Sequence, residues 1–157
     1  MMRQRASEVL ETLRSRGLSL STAESCTGGM IGAVLTAIPG SSDTYRGGII
    51  SYTNRIKQQL LSVSQELLEK YGPVCTPVAE AMALGAAKAL GTDVAVSTTG
   101  LAGPGGDAFG NPIGTVHIAC AFHGAVCSIC RIFPGSRQQI RQAAAEAALE
   151  LILSTIQ

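Results

Sequence analysis

Apolar residues recur along this chain with two different periods, and each change of period marks a new element. Ala6, Leu10 and Leu13 fall at helical spacing and Gly17 follows as a stop signal, so an amphipathic helix opens the sequence. Leu18 to Thr22 alternates apolar with polar, as a strand does. Gly28 to Ile38 is small and apolar, which predicts a buried helix ended by the turn Pro39-Gly40-Ser41-Ser42. A second strand is expected over Gly48 to Thr53. Asn54 is placed as the N-cap of a short helix through Leu61, and Ser64 as the cap of another that carries Glu66 in its first turn and stops near Gly72. Thr76-Pro77 combines a cap with a proline at the first helical position and opens an Ala-rich helix that closes at Gly91.

The second half reads differently. Asp93 to Thr99 is a third strand, after which Gly100 to Gly114 holds six glycines and two prolines, too many for either regular element. A long, shaped loop is expected there. Thr115 to Phe122 and Val126 to Phe133 flank His123-Gly124 as a hairpin, and Ser136 to Ile156 is a last amphipathic helix with Ile140, Ala144, Ala147 and Leu151 along one stripe. Helices and strands that alternate early, followed by a late hairpin, predict a single three-layer α/β/α domain with a mixed sheet over residues 1–157.

Composition narrows what such a domain does. With 46% apolar and 15% charged residues the chain is not disordered, and its apolar runs fall well short of the ~20 residues of a membrane span. The polar start Met-Met-Arg-Gln-Arg-Ala-Ser-Glu lacks the pattern of a secretory signal, so a cytoplasmic location is expected, with no membrane partner. A net charge of +1 gives no field for nucleic acid; Arg131, Arg137 and Arg141 are the one concentration of positive charge, and the expected partner is a small molecule. Five unevenly spaced cysteines do not make a disulfide framework. Cys127 and Cys130 lie three apart in a strand, where they face opposite sides and cannot share one ion, so no metal is expected.

The segment Thr22-Ala23-Glu24-Ser25-Cys26-Thr27-Gly28-Gly29 joins a strand to a helix start. Unpaired N–H groups there stabilise negative charge, and glycine lets a substrate approach the backbone. Ser25 is therefore a candidate nucleophile, with the plainer alternative that Ser25 or Thr27 only caps the helix. Neither the Gly-Lys-Ser/Thr of a phosphate loop nor Gly-x-Ser-x-Gly is present. For a base, His123 belongs to the hairpin turn and His117 to mid-strand, which leaves Lys57 in Tyr52-Thr53-Asn54-Arg55-Ile56-Lys57. In the first turn of a helix, and partly buried, a lysine loses its proton more easily; on a polar helix it is instead a solvated side chain.

The motifs Ala23 to Gly29, Pro39 to Ser42, Gly48 to Lys57 with Tyr52 and Asn54, Thr99-Gly100-Leu101-Ala102-Gly103-Pro104-Gly105-Gly106, Pro112 to Val116 and Gly135-Ser136-Arg137 resemble, in order and spacing, the CinA C-terminal-domain family, from about residue 5 to residue 153. That family includes nicotinamide-nucleotide amidases of the PncC type, which hydrolyse nicotinamide mononucleotide to nicotinic acid mononucleotide and ammonia with a Ser-Lys-Tyr arrangement. The resemblance implies Ser25 as nucleophile, Lys57 as base and Tyr52 as a proton relay or support, with no cofactor and with nicotinamide mononucleotide as substrate. It further implies substrate contacts from Cys26, Thr27 and Gly28 at the helix start, oxyanion support from Thr99 or Gly100, phosphate binding by Arg137 with Arg141 one turn on, and a homo-oligomer. This chain departs from the family in having Asn111 where a basic residue is common and Ser136 where aspartate is usual. Two other readings stay open: Cys26 as the nucleophile, and a noncatalytic module that binds a pyridine nucleotide.

Overall fold

A computed structural model describes residues 1–157. Five strands, β1 (Leu20–Glu24), β2 (Tyr45–Ile50), β3 (Val94–Gly100), β4 (Thr115–Phe122) and β5 (Ala125–Ile132), form one sheet in the order β2-β1-β3-β4-β5. β1 pairs in parallel with β2 and with β3, whereas β3, β4 and β5 pair antiparallel, so the sheet is mixed as expected. The six α-helices are α1 (Met2–Ser15), α2 (Met30–Thr36), α3 (Asn54–Leu61), α4 (Gln65–Tyr71), α5 (Thr76–Leu90) and α6 (Arg137–Ile156).

The strands sort their side chains by alternation between two cores. Val94 and Val96 of β3, with Val116 and Ile118 of β4, face α1, α2 and α6, where Leu10, Leu13, Ile31, Ile140, Leu149 and Ile152 complete the larger core. Each of these large aliphatic side chains, buried to 1% exposure or less, stabilises the fold by roughly 1.5–3 kcal/mol. Ala95, Ala119 and Ala121 face the other way and meet Val78, Ala79, Met82, Ala83 and Ala86 of α5. Alanine against alanine lets α5 lie close to the sheet. Gly85 allows a similarly close approach to the neighbouring helix, because a Cβ there would collide with the carbonyl of Leu61 at the end of α3. The result is the expected three-layer α/β/α arrangement.

Several boundaries fall elsewhere than the pattern suggests. α2 begins at Met30 rather than Gly28, since Gly28 and Gly29 take left-handed φ of 58° and 104°, and only Ile31 and Leu35 of this helix are buried. β2 runs from Tyr45 to Ile50, three residues earlier than Gly48 to Thr53, because the glycine pair lies within the strand instead of starting it. The cap of α3 is Thr53, whose hydroxyl accepts from the Ile56 amide, and Cys75 stands at the cap position before Thr76. Ser64 and Ser136 cap as read, the latter in a reciprocal capping box with Gln139. No helix is long and apolar enough to cross a membrane.

This topology makes a crevice. β1 sends α2 to one face of the sheet on its way to β2, while α3, α4 and α5 cross on the other face to reach β3. The chain thus turns in opposite directions at the carboxyl ends of β1, β2 and β3, which is where open α/β sheets take their ligands.

Candidate active site

Ser25 is the first residue beyond β1. Its amide donates to the Thr98 carbonyl at 3.0 Å, and the Ser51 amide donates to the Glu24 carbonyl at 2.8 Å, so the strand end is tied to both neighbours. The chain then closes a turn in which the Gly28 amide donates to Ser25 O at 3.1 Å and the Met30 amide to Thr27 O at 3.0 Å. Ser25 remains 7% exposed, enough to leave its hydroxyl on the cavity wall.

Lys57 reaches that hydroxyl from the other layer. Its Nζ donates to Ser25 Oγ at 3.0 Å, to the Ser51 carbonyl at 2.8 Å and to the Tyr52 carbonyl at 3.3 Å, and the residue is 1% exposed. No carboxylate forms an ion pair with it. Burial disfavours the ammonium and pulls its pKa down from 10.5 to about 8. With Thr53 as cap, Lys57 sits one residue deeper in α3 than the pattern suggested. Burial has the opposite effect on the neighbouring thiol, raising Cys26 to about 11.

Ser25, Cys26, Tyr52, Lys57, Thr99, Gly100 and Arg137 all line one cavity of about 350 Å³, together with Pro73, Val74 and the segment Leu101 to Gly105 apart from Pro104. The glycine-rich segment is thus a wall of the site. The sequence model of the CinA C-terminal domain matches residues 2–156. The chain belongs to the CinA family. A CinA-like protein of Synechococcus is 57% identical over 116 residues, which cover 74% of this chain and 28% of that protein. One from Synechocystis is 46% identical over 155 residues, covering 97% and 37%. The chain spans about a third of the length of these curated relatives. Among solved structures, a CinA superfamily protein of Escherichia coli matches with a TM-score of 0.97 at 34% identity, covering 99% of this chain and 90% of that one. A competence/damage inducible protein of Agrobacterium tumefaciens matches at 0.94 and 39%, covering 99% and 96%.

Other residues of this CinA domain fall outside the places their motifs suggested. Tyr52 gives its carbonyl to Lys57, but its hydroxyl accepts from Arg137 Nη2 at 3.1 Å and makes no hydrogen bond to Ser25 or Lys57. Thr27 is fully buried, its hydroxyl 2.8 Å from that of Thr98, and neither it nor Gly28 lines the cavity. Arg141 also stays outside: Nε donates to the Cys26 carbonyl at 3.0 Å and Nη2 to the Thr27 carbonyl at 3.2 Å. Arg137 is exposed, lines the cavity and donates from Nη1 to the Gly103 carbonyl at 2.6 Å, which fastens the glycine-rich wall to the start of α6. Asn111 donates to the Val74 carbonyl at 3.3 Å and to Asp107 at 2.7 Å, bracing that wall where the family commonly has a positive charge.

Two residues escaped the sequence reading. Glu24, 2% exposed, accepts from the Ile31 and Gly32 amides at 2.9 and 3.0 Å and so caps α2 from the strand. Ser51 supplies the shortest contact to Lys57 through its carbonyl, for which a sequence offers no signal. Cys127 and Cys130 do point to opposite faces, the first 3.1 Å from Thr155 Oγ1 on α6 and the second 3.7 Å from His117 Nε2.

Proposed function

We propose that this domain is a serine amidase that hydrolyses nicotinamide mononucleotide to nicotinic acid mononucleotide and ammonia. The observation that carries the reading is the 3.0 Å contact between Lys57 Nζ and Ser25 Oγ on the wall of a cavity, with the lysine buried and free of any carboxylate. A neutral amine has two N–H bonds and one lone pair. If the Ser51 and Tyr52 carbonyls take the two N–H bonds, the lone pair is left to accept the Ser25 proton. Ser25 Oγ then attacks the carboxamide carbon, and the C=O electron pair moves to oxygen. The Cys26 amide, which donates to no other residue, stands next to the nucleophile where such an oxyanion needs a donor.

Collapse of the tetrahedral intermediate breaks the C–N bond, and the proton held by Lys57 leaves with the amine as ammonia. Water, deprotonated in turn by Lys57, attacks the acyl ester and releases the carboxylate and Ser25. Tyr52 supports both ends of the site, holding Lys57 by its carbonyl and Arg137 by its hydroxyl. Arg137 uses only part of its five-donor fork on Gly103 and Tyr52, which leaves N–H groups for the substrate phosphate. The raised thiol of Cys26 argues against that residue as the nucleophile, since thiolate is the attacking form.

Ammonia release from nicotinamide mononucleotide, measured with and without a chelator, tests the proposal. Equal amounts of ammonia and nicotinic acid mononucleotide, unaffected by the chelator and absent in Ser25→Ala, are expected. Binding of the nucleotide without release of ammonia would replace the amidase with a binding module.

A further inference from the structure

The turn that carries Ser25 is gripped from both sides by charged side chains that stay out of the cavity. From one side the buried Glu24 carboxylate takes the Ile31 and Gly32 amides, closing Ser25 to Gly29 into a loop whose two ends are joined through a single side chain. From the other, the Arg141 guanidinium reaches across from α6 and takes the carbonyls of Cys26 and Thr27. Gly28 leaves room beside it: a Cβ there would stand 3.3 Å from Arg141 Nη2, a tight contact, and the residue's φ of 58° belongs to the left-handed region. In a trans peptide the N–H points opposite to the C=O. A guanidinium that draws the Cys26 carbonyl toward α6 therefore aims the Thr27 amide away from α6, and neither the Cys26 nor the Thr27 amide donates to another residue of the protein.

We infer that Glu24 and Arg141 are positioning residues of the reaction, two opposite charges that fix the Ser25–Gly29 turn and through it the nucleophile and its adjoining amides. The inference rests on the amidase reading above and gives Arg141 a task other than phosphate binding. Each contact is specific in form. A carboxylate accepts from two amides at once, whereas the carboxamide introduced by Glu24→Gln would set an NH₂ against one of them. Lysine in place of Arg141 keeps the charge but cannot span two carbonyls with one fork. A displaced nucleophile lowers turnover far more than binding, because a shift of about 1 Å in reacting geometry costs on the order of 100-fold in rate.

The test uses Glu24→Gln, Arg141→Lys and Arg141→Met, each first checked for a cooperative thermal transition. Wild-type ammonia release and the rate at which a fluorophosphonate probe labels Ser25 are measured beside them, with Ser25→Ala as the blank. Glu24→Gln and Arg141→Met are expected to lower kcat about 10- to 100-fold while KM for nicotinamide mononucleotide stays within about threefold, and Arg141→Lys to fall between Arg141→Met and wild type. Probe labelling and hydrolysis of nicotinamide riboside, which lacks the phosphate, should drop by the same factor. A rise in KM confined to the mononucleotide would make Arg141 a phosphate ligand, and wild-type kcat in all three folded variants would leave the turn without need of its clamp; either overturns the inference. Should the wild-type protein label at Ser25 yet release no ammonia, the amidase reading fails, while the labelling rates of the variants still decide whether the two charges position the serine.

Discussion

Ser25 with Lys57 and Cys130 with His117 each set a nucleophilic atom beside a nitrogen base, and by residue type the second pair is the more reactive one. Their surroundings differ. Lys57 is sealed at 1% exposure against Ser25, two carbonyls fix its amine, and the pair opens onto a cavity of about 350 Å³. His117 is half-buried and Cys130 exposed on the edge strand β5, at 3.7 Å; the other ring nitrogen of His117 is 3.1 Å from Thr76 Oγ1, and neither residue lines the cavity at Ser25. Burial depresses His117 as it does Lys57, so a lowered pKa does not by itself distinguish the two. The cavity does, because a reaction needs a recess that takes the substrate.

The sharpest way to break this contrast is to delete one hydroxyl. Ser25→Ala should lower kcat by ~1,000-fold or more while the protein still melts cooperatively. Activity that survived in this variant and vanished on treatment with thiol reagents would move the nucleophile to a cysteine. Lys57→Arg should be nearly as inactive, since arginine keeps the charge but cannot give up its proton; substantial turnover would reduce Lys57 to an electrostatic role. Arg137→Ala should lower kcat/KM for nicotinamide mononucleotide about 10- to 150-fold, the cost of a charge-assisted hydrogen bond, and barely change that for nicotinamide riboside. Equal losses on the two substrates would sink the phosphate assignment.

A pH profile sharpens the comparison further. In the proposed mechanism Lys57 acts as the free amine, so kcat/KM should fall about tenfold per unit as pH drops below about 8, the value to which burial brings this residue. An acidic limb placed near the ordinary histidine range, and lost in His117→Ala, would return the base to the other pair. The smallest effect belongs to Cys130→Ser, which should change kcat by less than about twofold because surface substitutions away from a site are close to neutral.

What the sequence disclosed of this site was its strand-to-helix turn, for a hydroxyl before two glycines at the end of an alternating segment is a local pattern. Ser25 was legible in this way, Lys57 through the family motifs and Arg137 from its place at the start of the last helix, and the structure brings all three to one cavity. Glu24 was not read, although it directly precedes the proposed nucleophile. A carboxylate at the last position of a strand looks like a solvated end, and only the return of α2 over it reveals the two amides it caps. Arg141 was legible as positive charge but not as a structural fork, because its acceptors are carbonyls more than a hundred residues away in sequence. Tyr52 divides the same way: its motif implied a role for the phenol beside the base, and the fold gives its carbonyl to Lys57 and its hydroxyl to Arg137.

The sealed amine of Lys57 has a cost that appears in unfolding rather than in turnover. In the folded chain its pKa is about 8, while the free side chain holds its proton up to 10.5. Between those values the unfolded state binds a proton that the folded state has released, so this residue's share of stability rises with pH across the window and is least favourable below pH 8. Methionine at position 57 would fill much of the same space with no charge to desolvate. A calorimetric scan near neutral pH should therefore find Lys57→Met melting above the wild type, with the gap narrowing as the pH approaches 10.5.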